Sequence, residues 1–171
     1  MNTFLEQAGR RYYHQCIERA SDFTALDTHE HYACMIWSAV APVDPAERGA
    51  FARRLLDSGC TYLVAGGSEC ERWHDSADQE FINLNLPEPE YSHRFLMTTW
   101  HTDESPEEVA TYFVNTVFPG ETSIEEYSHF LVVQWGGDWL LAERLRAAVA
   151  AAAEESVDAD SDAGGDDDEA A

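Results

Sequence analysis

The sequence predicts an α/β protein, a three-layer sandwich whose helices cover a mostly parallel sheet of about four strands. Two observations carry that expectation. Four apolar runs, at 31–40, 61–67, 95–100 and 130–137, each give way to a helix-start signal: Asp44-Pro45, Ser68, Ser105-Pro106 and Asp138. Strand then helix, repeated, is the pattern of parallel strands joined by crossover helices. The first run, HYACMIWSAV, is also almost continuously apolar, as a central strand buried on both faces has to be. The outline is Rossmann-like or flavodoxin-like, and such sheets take ligands outside the carboxyl ends of their strands.

The elements follow in order. Leu5, Ala8, Tyr12, Cys16 and Ala20 recur at three- and four-residue steps, which predicts an amphipathic N-terminal helix over 3–20. Residues 21–30 form a polar connector to a strand near 32–40. Asp44, Pro45 and Glu47 then occupy the N-cap, N1 and N3 positions of a helix that turns Phe51, Ala52 and Leu55 inward and stops at Gly59. After a strand at 61–65, Ser68-Glu69-Cys70-Glu71 reads as a capping box. Its helix buries Cys70, Trp73, Ala77, Phe81 and Leu84. Pro87 and Pro89 mark a loop from Asn85 to His93, and a strand follows at 94–100. Ser105-Pro106-Glu107-Glu108 caps a third helix with Val109, Tyr112, Phe113 and Val117 inside, ended by Pro119-Gly120. A strand at 129–135 leads through Gly136-Gly137-Asp138 to a last helix carrying Leu141, Leu145, Ala148 and Val149. Residues 1–153 form a single domain on this basis, and 154–171 a disordered acidic tail. A short echo, Glu90-Tyr91-Ser92-His93 and Glu126-Tyr127-Ser128-His129, places His93 and His129 at the amino-terminal edge of the sheet.

Charge narrows the classes of function. The formal charge of the 171 residues is −23. Nine of the acids fall in 154–171 with no base among them. The other 24 of the 33 stand against ten cationic residues, every one an arginine. Nucleic acid and anionic membrane are expected to be repelled, because both are held by cations. A basic protein partner, metal ions or plain solubility is favoured, and GC-rich coding or adaptation to salt would produce the same acidity. The opening residues lack the apolar stretch of a signal peptide, and no run approaches the ~20 apolar residues of a membrane helix, so a cytoplasmic chain is expected. Cys16, Cys34, Cys60 and Cys70 have neither CxxC nor zinc-like spacing and read as reduced, mostly buried thiols.

The carboxyl-end loops hold the candidate chemistry. Trp100 and Trp135, at strand exits, are candidates to line a pocket together with His74 and Asp75, whereas Trp73 and Trp139 read as core residues of first helical turns. Gly66-Gly67 and Gly136-Gly137 stand where amides can cradle a phosphate, but neither fits a dinucleotide or P-loop motif. Glu69, Glu71 and Asp138 oppose an anion there, so close backbone packing is expected of them. Cys70, in a first helical turn, is a candidate nucleophile with His101 as base and Asp103 or Asp75 as orienter. Its place on the apolar stripe favours an inert filler. His74, Asp75, Asp78, His101 and Asp103 are donor types a metal accepts, without a supporting motif, so neither metal nor cofactor is expected. His29-Glu30-His31 reads as connector polarity.

Gly66-Gly67-Ser68-Glu69-Cys70-Glu71-Arg72-Trp73-His74-Asp75 and Thr98-Thr99-Trp100-His101 resemble an uncharacterised family of small bacterial α/β domains of unknown function. That family carries a Gly, then Cys-Glu, then His-Asp, and later Thr-Thr-Trp-His. The likeness spans roughly 30–140. It implies a shared architecture, attaches no activity, and singles out Cys70, Glu71, His74, Asp75, Trp100 and His101. The expected function is a non-enzymatic acidic interaction protein that shields or inhibits a basic partner, as immunity-type proteins do. The alternative is a small-molecule enzyme or metal-binding domain with its site on the carboxyl edge of the sheet.

Overall fold

The structure, a computed structural model, describes residues 3–85, 95–117 and 127–162. The Pro87/Pro89 connector, His93, the Pro119-Gly120 stop and the chain beyond 162 lie outside the described residues. Six strands are present among them: β1 (Thr3–Gln7), β2 (Arg10–Ile17), β3 (Tyr32–Ser38), β4 (Cys60–Gly67), β5 (Met97–His101) and β6 (His129–Trp135). The helices are α1 (Pro45–Asp57), α2 (Cys70–Asn85), α3 (Pro106–Asn115) and α4 (Trp139–Asp162). One sheet runs β1-β2-β6-β3-β4-β5, parallel everywhere except the antiparallel β1–β2 pair. The fold is α/β with a mostly parallel sheet, but of six strands rather than about four.

The two additional strands replace the helix expected over 3–20. Ala8 and Gly9, at φ +49° and +80°, close a tight hairpin, the backbone that suits the twist of two joined strands. β2 then pairs with β6 over seven residues, Arg11 with His129 through Ile17 with Trp135. Tyr12 and Ile17 are buried there, and each such burial contributes about 1.5–3 kcal/mol. Helix propensity offers only a few tenths per residue, so pairing overrides the spacing. Only a short 3-10 turn at Ala20–Asp22 is helical in this region.

The central strands are buried on both faces, and their alternation builds two cores. In β3, Tyr32, Cys34 and Ile36 meet Phe51 and Leu55 of α1 and Trp73 of α2. Ala33, Met35 and Trp37 meet Val109 and Phe113 of α3 and Leu145 and Val149 of α4. β6 repeats the division: Leu131, Val133 and Trp135 lie on the α1/α2 side, Phe130 and Val132 on the other. Trp135 is thus 2% exposed, its ring 4.8 Å from Trp73 and 5.8 Å from Phe51. It lines no pocket, because strand alternation carries it into the aromatic core. Burial raises the Cys60 thiol to about 12 and Cys34 in the same direction, as inert fillers require.

Helix starts follow the expected chemistry in three of four cases, Asp138 capping α4 through the Leu141 N–H at 3.1 Å. The Ser105 hydroxyl accepts from the Glu108 N–H, while the Glu108 carboxylate accepts from the Ser105 N–H. Asp44 caps α1 through Ala46 N–H at 2.8 Å, but Glu47 accepts from the Ala20 N–H at 2.7 Å and so ties the 3-10 turn to α1. The capping box expected at Ser68 is absent. Ser68 N–H donates to the Ser38 carbonyl at 2.8 Å, and the carbonyl of Glu69 takes the first amides of α2, from Arg72 and Trp73. α4 continues to Asp162, into the tail expected from 154, because Ala147–Ala153 and two glutamates are strong helix formers. Trp139, expected in the core, is 71% exposed at its first residue.

The chain reverses direction across the sheet between β3 and β6, where an open sheet of this kind has its crevice. Here the loops close on each other. Ala39 N–H donates to Trp135 O and Gly136 N–H to Ile17 O. A Cβ on Gly136 would lie 2.9 Å from Val40, one on Gly137 2.9 Å from Ala39, and one on Gly67 2.4 Å from the Ser38 carbonyl oxygen. The glycines serve close packing, as expected.

Three stability outcomes follow. Gly67→Ala, at φ +75°, is expected to cost at least about 2 kcal/mol in urea unfolding, since strain and overpacking add. Trp135→Ala is expected to cost about 3–5 kcal/mol in the same measurement. Burial, reinforced by Arg146 and opposed by Glu143, lowers the His14 imidazole to about 4. The fold therefore takes the neutral ring. Its contribution is complete above the unfolded value near 6.5 and fades as pH falls toward 4. On going from about pH 7 to about pH 4.5 the wild type should lose on the order of 1 kcal/mol more than His14→Gln, partial exposure limiting the effect. Parallel melting curves for the two proteins would refute this.

Candidate functional site

α2 packs on β4 and β5, with its first turns at the carboxyl ends of those strands. Helical spacing buries Cys70, Trp73 and Ala77, sets His74 and Asp78 beside β5, and leaves Asp75 next to His74 on the exposed side of the helix. Alternation in β5 answers it: Thr98 and Trp100 point to the α2 face, Thr99 and His101 to the α3 face. The Trp100 and His74 rings meet edge to face, centroids 4.5 Å apart. His74 Nδ1 lies 3.1 Å from an Asp75 carboxylate oxygen, and Nε2 3.5 Å from Asp78. Thr98 donates its hydroxyl to Asp78 at 2.8 Å. Trp100 remains 47% exposed, and the Asp75 and Asp78 side chains are 68% and 46% exposed.

An exposed indole beside two solvent-facing carboxylates suits one class of ligand. The ring quadrupole and the carboxylates both attract a cation, and Arg or Lys satisfies them together. An anion would meet repulsion from the same groups. Of the residues singled out in the sequence, His74, Asp75, Asp78 and Trp100 converge here, and Thr98, quoted there only within the family motif, completes the cluster through Asp78.

The other candidates go elsewhere. Cys70 is 5% exposed, packed in the α1/α2 core with its sulfur 3.7 Å from the Thr102 hydroxyl. His101 lies across the sheet, its ring 4.5 Å from Tyr112. Its Nδ1 is 2.9 Å from Glu104 and its Nε2 3.3 Å from Thr99. The nucleophile, base and orienter considered for Cys70 are therefore not brought together, and the carboxylate beside His101 is Glu104 rather than Asp75. Asp103 sits in the loop after β5 at φ +62°. No group of three or more His, Cys, Asp or Glu side chains placed to hold a metal ion occurs among the described residues. At the opposite rim, His129 hydrogen-bonds Tyr13 at 3.0 Å and approaches Glu30 at 3.4 Å, so the His29–His31 connector is anchored to β6.

Beneath the site, Glu69 fixes the start of α2. Its carboxylate accepts from the Val43 N–H at 2.8 Å, lies 3.4 Å from Arg48 and pairs with Arg72. The Val43 hydrogen bond first, then the two guanidinium groups, hold this carboxyl below its usual range. An open polar cleft of about 420 Å³ between α1 and α2 is lined by Arg48, Arg72, Asp75 and Glu80 among others. No helix among the described residues is long and apolar enough to cross a membrane.

No curated protein and no solved structure matches the chain. One family model does, and it spans more than the motif resemblance, taking in β2 and most of α4. The chain belongs to that family, described as Domain of unknown function (DUF7684), over residues 11–158.

Proposed function

We propose that the protein is a non-enzymatic interaction module that binds, and thereby shields or inhibits, a basic protein partner. The observation carrying this is the half-exposed Trp100 ring against His74, whose two ring nitrogens face Asp75 and Asp78, on a chain of net charge −23. Cation–π contact and paired carboxylates give a local reason for a cationic side chain to dock there. The overall charge accelerates encounter and repels acidic competitors. The closed crevice between β3 and β6 supports an interaction surface over a small-molecule pocket. We also place the fold among the three-layer, doubly wound sandwiches. Four of the five parallel strands run β5-β4-β3-β6, which matches the 3-2-1-4 portion of the Rossmann order more closely than the flavodoxin order, and β2 extends the sheet beyond β6. The chain works in the cytoplasm under this proposal.

A titration with a capped octa-arginine peptide at physiological salt tests the proposal. Trp100→Ala should leave stability within about 0.5 kcal/mol and weaken binding about 3- to 10-fold. Asp75→Asn with Asp78→Asn should weaken it by about tenfold or more, and Glu18→Gln with Asp27→Asn, an equal change of charge elsewhere, by about twofold at most. Equal effects of the two double variants, with none from Trp100→Ala, would mean diffuse attraction to an acidic surface and would end the proposal.

A further inference from the structure

The sheet has two outer strands among the described residues, and they are built differently. β1 carries a register shift between Thr3 and Leu5, places Glu6 at its exposed position, and is overlaid by α4, where Gln7 donates to Ala153 O at 3.4 Å. Bulges, charges and covering elements are the usual means of stopping a sheet edge from adding another strand. β5, Met97-Thr98-Thr99-Trp100-His101, has no Asp, Glu, Lys, Arg or Pro, and its pairing with β4 is regular over all five residues. Met97 and Trp100 are 42% and 47% exposed, with Phe95 and Ile82 exposed nearby. An edge with no partner strand among the described residues and with bare apolar side chains is a template for strand addition.

Charge decides what would add. Asp78 holds Thr98 of β5, Asp75 meets the His74 ring that faces Trp100, and Asp103 and Glu104 follow the strand, all exposed. A second copy would bring these carboxylates against its own, whereas a basic strand would neutralise them. Thr98 and Trp100 share the face of Asp78 and His74, and Met97 and Thr99 share the other. A neighbouring strand would therefore carry cations at alternate positions, over Trp100 and Asp78, with small apolar residues between them.

Resting on the cation recognition proposed above, we infer that β5 receives an extended segment of the basic partner as a seventh strand, of alternating basic and apolar sequence. The probe is the capped hexapeptide Arg-Val-Arg-Val-Arg-Val, compared with two versions N-methylated at all arginines or at all valines. A paired strand uses the amides of one edge only. One methylated peptide should therefore bind about tenfold or more weaker and the other about as well as the parent, since each lost hydrogen bond is worth about 1 kcal/mol. Amides within 97–101 should gain protection from hydrogen exchange in the parent complex. If both methylated peptides bind as the parent does and Trp100→Ala still weakens them, strand addition is wrong and the cation site stands. If Trp100→Ala and the Asp75/Asp78 double variant leave all three peptides unaffected, the cation site and this inference fall together. Protection of 97–101 that appears without peptide and grows with protein concentration would instead identify a second copy as the occupant.

Discussion

The turn between β4 and α2 is the constraint on which the rest of the site depends. Gly67 passes so close to the Ser38 carbonyl that no side chain fits, and Glu69 follows at φ +56°. A non-glycine residue in that region is held there at some cost, and the anchors are visible. The Glu69 carboxylate reaches the Val43 N–H and Arg48, so the loop after β3 grips the first residues of α2. That grip sets the direction in which α2 leaves the sheet. With it fixed, His74 falls opposite Trp100, and Asp78 within reach of Thr98. The two arginines near Glu69 serve this joint and do not make an anion site, since the carboxylate between them already takes up their charge.

Charge plays a different part at the surface. Apart from Arg48 with Glu69, ion pairs such as Arg53 with Asp57 and Arg144 with Glu107 are about half exposed and add little to stability. Ten arginines leave most of the 33 acidic residues unpaired. The fold gains nothing from that excess and is held instead by the two apolar cores. Under the proposed function that acidity acts on a partner, where long-range attraction raises association rates without fixing a pose. A pose needs a local feature, and the Trp100 cluster is one.

Much of the fold was legible in the sequence because parallel α/β units advertise themselves locally. The buried strands are apolar throughout, and Asp44 and Ser105 cap where their helices begin. What was hidden depends on residues far apart in the chain. The hairpin of β1 and β2 shows a three- and four-residue apolar spacing, and only its pairing with β6, more than a hundred residues away, makes it extended. Trp135 and Trp100 both sit at or next to the end of a strand, alike in sequence, yet one is core and the other surface. The difference is the strand's place in the sheet: β6 is central with α1 and α2 across its face, while β5 is outermost. Sheet order cannot be read from periodicity, so neither could the fate of the two tryptophans. Cys70 and His101 illustrate the same limit, being close to one rim but divided by the sheet itself.

The location of the candidate site then has a physical explanation. An open parallel sheet usually offers its crevice where the strand order reverses, and this chain fills that place with Val40 against Gly136 and Ala39 against Gly137. Closing it binds the loops after β3 and β6 to each other and to β2, whose Ile17 carbonyl takes the Gly136 N–H. The hairpin that extends the sheet on one side thus helps seal its centre. What the carboxyl rim still presents among the described residues lies toward the opposite border, where α2 and β5 meet and no further strand pairs with β5. Among the described residues the sheet is extended and blunted at β1 and left plain at β5, which is why the proposed seventh strand is placed there. Asp78 beside that border, with Asp75 one step further round α2, is the reason the proposed strand is basic.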